Sequence, residues 1–152
     1  MQLISPNKVI RGKDAWARSL LEIKKYCKSP LLLGRSAATK ALRTKISNDL
    51  NNLNLNVYNC ELEYDCCEDD LTRIYNLSIE HNCDSIITAG GGKVLDAGKL
   101  LAEYLSVPCI TVPLSASTCA GWTALANIYT TKGKFVKDIN LKSCPKILVC
   151  DH

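Results

Sequence analysis

Ser85-Ile86-Ile87-Thr88-Ala89-Gly90-Gly91-Gly92-Lys93-Val94-Leu95-Asp96-Ala97-Gly98-Lys99 passes from an apolar, β-branched run into a helical pattern across three consecutive glycines. The first five residues read as a buried strand, and residues 93–105 carry apolar side chains at helical spacing. Three glycines at such a junction let a ligand approach the backbone and leave amide N–H groups unscreened by side chains. The helix N-terminus adds partial positive charge, and Lys93 adds a mobile full charge. Together they suit a phosphate or pyrophosphate. The GxGxxG fingerprint fails because it needs a small residue at Leu95, and the Walker pattern fails at Ile87 and Val94. The plain alternative is a tight turn, for which one glycine is enough. Asp96 falls in the first helical turn, where two readings stand open: an acid favoured by the helix dipole, or a hydrogen bond to a cofactor group.

Working outward, strand and helix patterns alternate. Asp14 to Cys27 is expected to be helical, and Pro30 ends it. Leu31-Leu32-Leu33-Gly34 reads as a short buried strand, Ala37 to Leu50 as a helix, and Leu55 to Leu62 as an alternating strand. Asp69 to His81 is helical again; Cys109 to Val112 and Ile147 to Cys150 are strands. The fold class this predicts is α/β: a Rossmann-like doubly wound, mostly parallel sheet. Ile128 to Val136 departs from it as a small β-hairpin turning at Lys132-Gly133. Ligands in such sheets sit beyond the carboxyl ends of strands, here after Leu33, Ala89 and Val112. No repeat or linker divides residues 1–152, so one domain is expected.

Of the 152 residues, 47% are hydrophobic and 22% charged, which excludes a disordered chain, and no apolar run is long enough to span a membrane. The N-terminal sequence lacks the pattern of a secretory signal, so a soluble cytoplasmic protein is expected. Net charge is +8 over residues 1–50, −6 over 51–100 and +2 beyond. The basic first third has no interleaved aromatic platform, which disfavours a nucleic-acid surface and favours a solvated helix face. The acidic run from Glu61 to Asp70 is expected to favour the start of the helix after it. Nine cysteines, with no CxxC pair and with His81 and His152 far from any Cys pair, argue against a zinc module. They are read as reduced, structural thiols, including the adjacent Cys66 and Cys67, which lack a basic neighbour to activate them.

The segment Pro113-Leu114-Ser115-Ala116-Ser117-Thr118-Cys119-Ala120-Gly121-Trp122-Thr123-Ala124-Leu125 follows a strand directly and is crowded with hydroxyls. It reads as a ligand loop, against the plainer reading of a capped loop. GGGKVLDAGK at 90–99, PLSAST at 113–118 and TALANIYTTKG at 123–133 resemble the glycerol dehydrogenases of the iron-containing alcohol dehydrogenase superfamily. The resemblance runs over essentially the whole chain. The glycine motif alone is also similar to the dehydroquinate synthases; the Ser/Thr loop and the hairpin favour the glycerol dehydrogenases.

What the resemblance implies can be carried over residue by residue. Gly91, Gly92, Lys93, Val94 and Leu95 would line the pyrophosphate turn, with Asp96 at its end. Leu114, Ser117, Thr123, Leu125 and Tyr129 would line the rest of a dinucleotide groove. Cys119 stands where glycerol dehydrogenases have an Asp on the substrate hydroxyls, and Gly121-Trp122 replaces Pro-Thr. Both changes argue against glycerol itself. Leu114 replaces a Thr and removes a hydroxyl. Arg35 stands where the family's NAD enzymes hold an Asp against the adenosine ribose, which implies NADP over NAD unless that arginine merely faces solvent. The family's second, helical domain binds a divalent metal, zinc or iron, through one Asp and two His. This sequence reaches Asp151-His152, where the first domain ends, and His152 matches neither metal histidine. The resemblance therefore implies no catalytic or metal residue here, and the NAD(P)-binding half of a polyol or alcohol dehydrogenase, inactive alone. It would work with a separate C-terminal half or as a homo-oligomer. The rival reading is a stand-alone nucleotide- or phosphate-binding regulatory module.

Overall fold

Six parallel strands form the sheet. The computed structural model describes residues 4–116 and 118–151. In chain order the elements are β1 (Lys8–Gly12), α1 (Ala15–Ile23), β2 (Pro30–Gly34), α2 (Lys40–Asn52), β3 (Tyr58–Glu61), α3 (Glu68–Glu80), β4 (Ser85–Gly90), α4 (Gly92–Leu105), β5 (Cys109–Pro113), β6 (Leu125–Tyr129), β7 (Phe135–Asn140) and β8 (Ile147–Asp151). The sheet order is β1-β8-β5-β4-β2-β3, and β6 and β7 pair separately as an antiparallel hairpin.

Each helix covers one face for a legible reason. Leu31, Leu33 and Ile86 point to the layer of α3, α4 and the hairpin, where they meet Leu71, Ile74, Leu100 and Leu101. The alternate strand residues Leu32, Ile87, Ile110 and Ile147 point the other way, onto Trp16, Ile23, Ile46 and Leu50 of α1 and α2. A period of two along each strand thus feeds two cores. Central β4 is buried along its whole length, as a strand covered on both faces must be.

Several boundaries differ from the sequence reading. The first helix stops at Ile23 rather than Cys27, its last turn loosening before Pro30. A short 3-10 turn over Ala37–Thr39 precedes α2, capped by Ser36, whose side chain accepts from the Ala38 N–H. The strand expected over 55–62 is confined to Tyr58–Glu61, because it lies on the sheet edge and pairs only with β2. Strand β1 was not anticipated: Lys8-Val9-Ile10-Arg11-Gly12 is a mostly exposed edge strand with little apolar signal. Helix α3 does open with Glu68, Asp69 and Asp70 in its first turn. All nine cysteines are free thiols and six are buried, Cys66 and Cys67 among them. Burial pushes the Cys27 thiol up to about 11.

Candidate functional site: the crevice between β2 and β4

The sheet reverses its winding between β2 and β4. Helix α2 leaves β2 toward β3 on one face, while α4 leaves β4 toward β5 on the other. A crevice opens at the carboxyl ends of the two strands, the usual ligand position in an open α/β sheet. Gly34 and Arg35 form one side of it, and Gly90 to Lys93 form the other.

The glycines of the turn have distinct jobs. None of Gly90, Gly91 and Gly92 has positive φ, so chain reversal does not require them. A Cβ on Gly90 would press on the Val94 side chain at 3.0 Å, and one on Gly92 would meet Thr118 Oγ1 at 3.0 Å. Over Gly91 a Cβ would meet nothing within 4 Å. Gly91 is also the N-cap of α4, with no side chain capping the helix. The first helical bond runs from the Leu95 N–H to the Gly91 carbonyl at 3.1 Å, leaving the preceding amides of the turn without an intrahelical acceptor. An open, donor-lined space above a glycine fits the pyrophosphate of a dinucleotide.

Val94 and Leu95 are buried in the core, so only their backbone faces the turn. Lys93 is already partnered: its ammonium lies 2.5 Å from Asp65 Oδ2 and 4.2 Å above the centre of the Tyr129 ring. The Tyr129 N–H donates to the Cys66 carbonyl at 2.8 Å, which ties the hairpin to the loop carrying Asp65. Arg35 Nη1 lies 3.6 Å from Asp65 Oδ1. Asp65 therefore joins two of the expected site residues across the crevice, although the sequence reading placed it only within an acidic run. No pattern of spacing singles it out, because its partners are 30 and 28 residues away in the chain.

Asp96 is turned inward, away from the crevice. Its Oδ2 accepts from the Asn127 N–H at 3.1 Å, and its Oδ1 forms an ion pair with Lys99 at 3.0 Å without hydrogen-bond alignment. Burial raises its carboxyl above the ordinary value, against the pull of Lys99. The helix begins at Gly92, so Asp96 lies beyond its first turn, and this geometry provides neither the dipole-favoured acid nor the cofactor contact of its two open readings. Lys99, buried as well, donates to the carbonyls of Ala120 at 2.7 Å, Thr123 at 3.2 Å and Leu125. It fixes the loop that bears Cys119, Thr123 and Leu125, and the sequence reading gave it no part in that. Leu114 donates its N–H to the Gly90 carbonyl at 3.0 Å, which holds the second loop against the glycine turn. Cys119 is exposed at the rim. Ser117 and His152 lie outside the described residues. A cavity of about 640 Å³ adjoins the crevice, walled by Trp16, Leu42, Ile46, Leu114 and Trp122. Among the described residues no three His, Cys, Asp or Glu side chains converge to hold a metal ion. No helix there is long and apolar enough to cross a membrane.

The family model for iron-containing alcohol dehydrogenases matches residues 6–152. The chain belongs to the iron-containing alcohol dehydrogenase family. It is 29% identical to the glycerol dehydrogenase of Escherichia coli O6:H1 over 147 residues, which are 97% of this chain and 40% of that protein. A probable glycerol dehydrogenase from Sinorhizobium meliloti superposes with a TM-score of 0.87 at 25% identity, covering 99% of this chain and 40% of that one. The glycerol dehydrogenase of Schizosaccharomyces pombe gives 0.86 at 26%, covering 99% and 38%. The chain thus spans about two fifths of the length of these iron-containing alcohol dehydrogenases, and its fold is their Rossmann-like α/β architecture with the small hairpin.

Proposed function

We propose that this chain is the dinucleotide-binding domain of a polyol or alcohol dehydrogenase, and that residues 1–152 form one such domain. The observation that carries this is the open, donor-lined space over Gly91 at the point where the sheet reverses. In this reading the amides of Gly91, Gly92, Lys93 and Val94 form the pyrophosphate cradle, and Leu95 closes its base through its own N–H bond to the Gly91 carbonyl. Leu114, Thr123, Leu125 and Tyr129 line the groove on either side, and Cys119 faces the substrate end. Arg35 lies at the adenosine end. NAD or NADP, when bound, supplies nicotinamide C4 as donor or acceptor of the hydride exchanged with a secondary alcohol. The protein's part is to hold the phosphates and orient the ring. The described residues do not fit a metal, so the zinc or iron of that reaction would come with a separate C-terminal half.

Calorimetric titration of the chain with NAD and NADP tests the reading: saturable binding of at least one is expected. Inorganic pyrophosphate binding as tightly as either dinucleotide would favour a phosphate-binding regulatory module instead. Lys93→Ala is expected to weaken dinucleotide binding by about 1–3 kcal/mol, the size of a charge-assisted hydrogen bond. An unchanged affinity would show that Lys93 serves only its contacts with Asp65 and Tyr129.

A further inference from the structure

Asp65 has no role in the proposed function, yet it sits where the cofactor's charges would fall. Its side chain is 4% exposed, and it follows edge strand β3, which pairs with β2, the neighbour of β4. Lys93 reaches it from the β4 side at 2.5 Å and Arg35 from the β2 side at 3.6 Å. The Cys66 N–H donates to its Oδ1 at 2.9 Å. The protein has therefore built one buried anion between the two cations of the groove. A buried carboxylate that loses its cations is strongly penalised, since neither water nor a counter-charge replaces them.

The consequences differ for two classes of ligand. A dinucleotide with only a pyrophosphate draws on Lys93 and leaves Asp65 paired with Arg35. One carrying a 2′-phosphate also draws on Arg35, and Asp65 is left with a single backbone N–H. We propose that Asp65 is the specificity-determining residue of this groove: it holds Arg35 back and cancels the advantage a 2′-phosphorylated dinucleotide would otherwise gain. The inference rests on the dinucleotide reading above. It changes what Arg35 alone implies, because a guanidinium already engaged by a carboxylate is not a free phosphate site.

The test is a set of titrations with NAD and NADP at low salt, with thermal melting to confirm that each protein is folded. The wild-type chain is expected to bind NADP no more tightly than NAD. Asp65→Asn keeps the shape and the acceptor for Cys66, and is expected to bind NADP at least tenfold more tightly than NAD. Adding Arg35→Gln to that variant should remove the gain. Asp65→Ser takes its place if the asparagine variant does not fold. A tenfold or greater NADP preference in the wild type overturns the proposal without any variant. So does an unchanged NADP-to-NAD ratio in folded Asp65→Asn. Binding of NAD by the wild type reports on the dinucleotide reading alone, so failure of both cofactors to bind overturns that reading and is recognisable as such.

Discussion

At Gly91 the backbone is extended, with φ −84° and ψ −178°, a conformation open to any residue. Gly91→Ala is therefore expected to fold with a loss below about 1 kcal/mol, yet to bind dinucleotide about tenfold more weakly, or about 1.4 kcal/mol, because the methyl group takes the phosphate's place. Equal affinity in that variant would mean the space is not a ligand site. Gly98, seven residues on, is the control. A Cβ there would stand 2.3 Å from Thr88 Cβ, so α4 would have to move off β4. Overpacking of that kind costs about 1–3 kcal/mol, more than the roughly 1 kcal/mol alanine gains over glycine in a helix. A lower melting temperature for Gly98→Ala checks it. The cysteines divide in the same local way. Cys119 is exposed, whereas Cys83 and Cys150 are half-buried and burial raises both thiols. Because the thiolate is the nucleophile, a raised thiol holds less of it at a given pH. Iodoacetamide at pH 8 is expected to label Cys119 first, with Cys83 and Cys150 following as the pH rises, read by peptide mass spectrometry.

Helix α4 links the strand, the turn and both loops of the crevice. Its buried Asp96 and Lys99 stand one turn apart and reach beyond the helix, Asp96 to the start of the hairpin and Lys99 to three carbonyls of residues 120–125. Removing one partner of such a pair leaves the other charge buried, at about 3–5 kcal/mol. Lys99→Met is expected to lower stability by that order and to speed amide exchange across residues 118–127 more than across β4. Uniform acceleration over the whole chain would show that Lys99 contributes only general stability. The junction of β4 and α4 was legible because the switch from a β-branched run to helical spacing is local. Edge strand β1 was not: Lys8 to Gly12 carries two apolar residues, and pairing with β8 across the length of the chain makes it a strand.

For the whole molecule, the reversal between β2 and β4 sets the place of the crevice, and helices pack on both faces of the sheet beside it. The same architecture leaves the described residues without a metal-holding cluster. The chain with added zinc or iron and NAD(P) is therefore expected to oxidise no polyol, as monitored by absorbance of the reduced nicotinamide. Metal-dependent turnover by these 152 residues would refute the assignment of the chemistry to a separate half.

Sequence alone determined the class of fold and the glycine turn. Strand and helix periods are local, and a run of three glycines leaves backbone that no side chain can hide. It also marked Arg35, Lys93 and Tyr129 individually. Only the tertiary structure decided what they do together. The parallel sheet sets β3, β2 and β4 side by side, and a carboxylate 30 residues from one cation and 28 from the other closes between them. Asp96 likewise lies three residues from Lys93 in the chain's glycine motif, but the helix turns it toward the core, where it meets Lys99 and the hairpin. Spacing along a chain reports which residues share an element. The side chain that takes up a given charge is set by which elements pack together, and that is a property of the folded molecule.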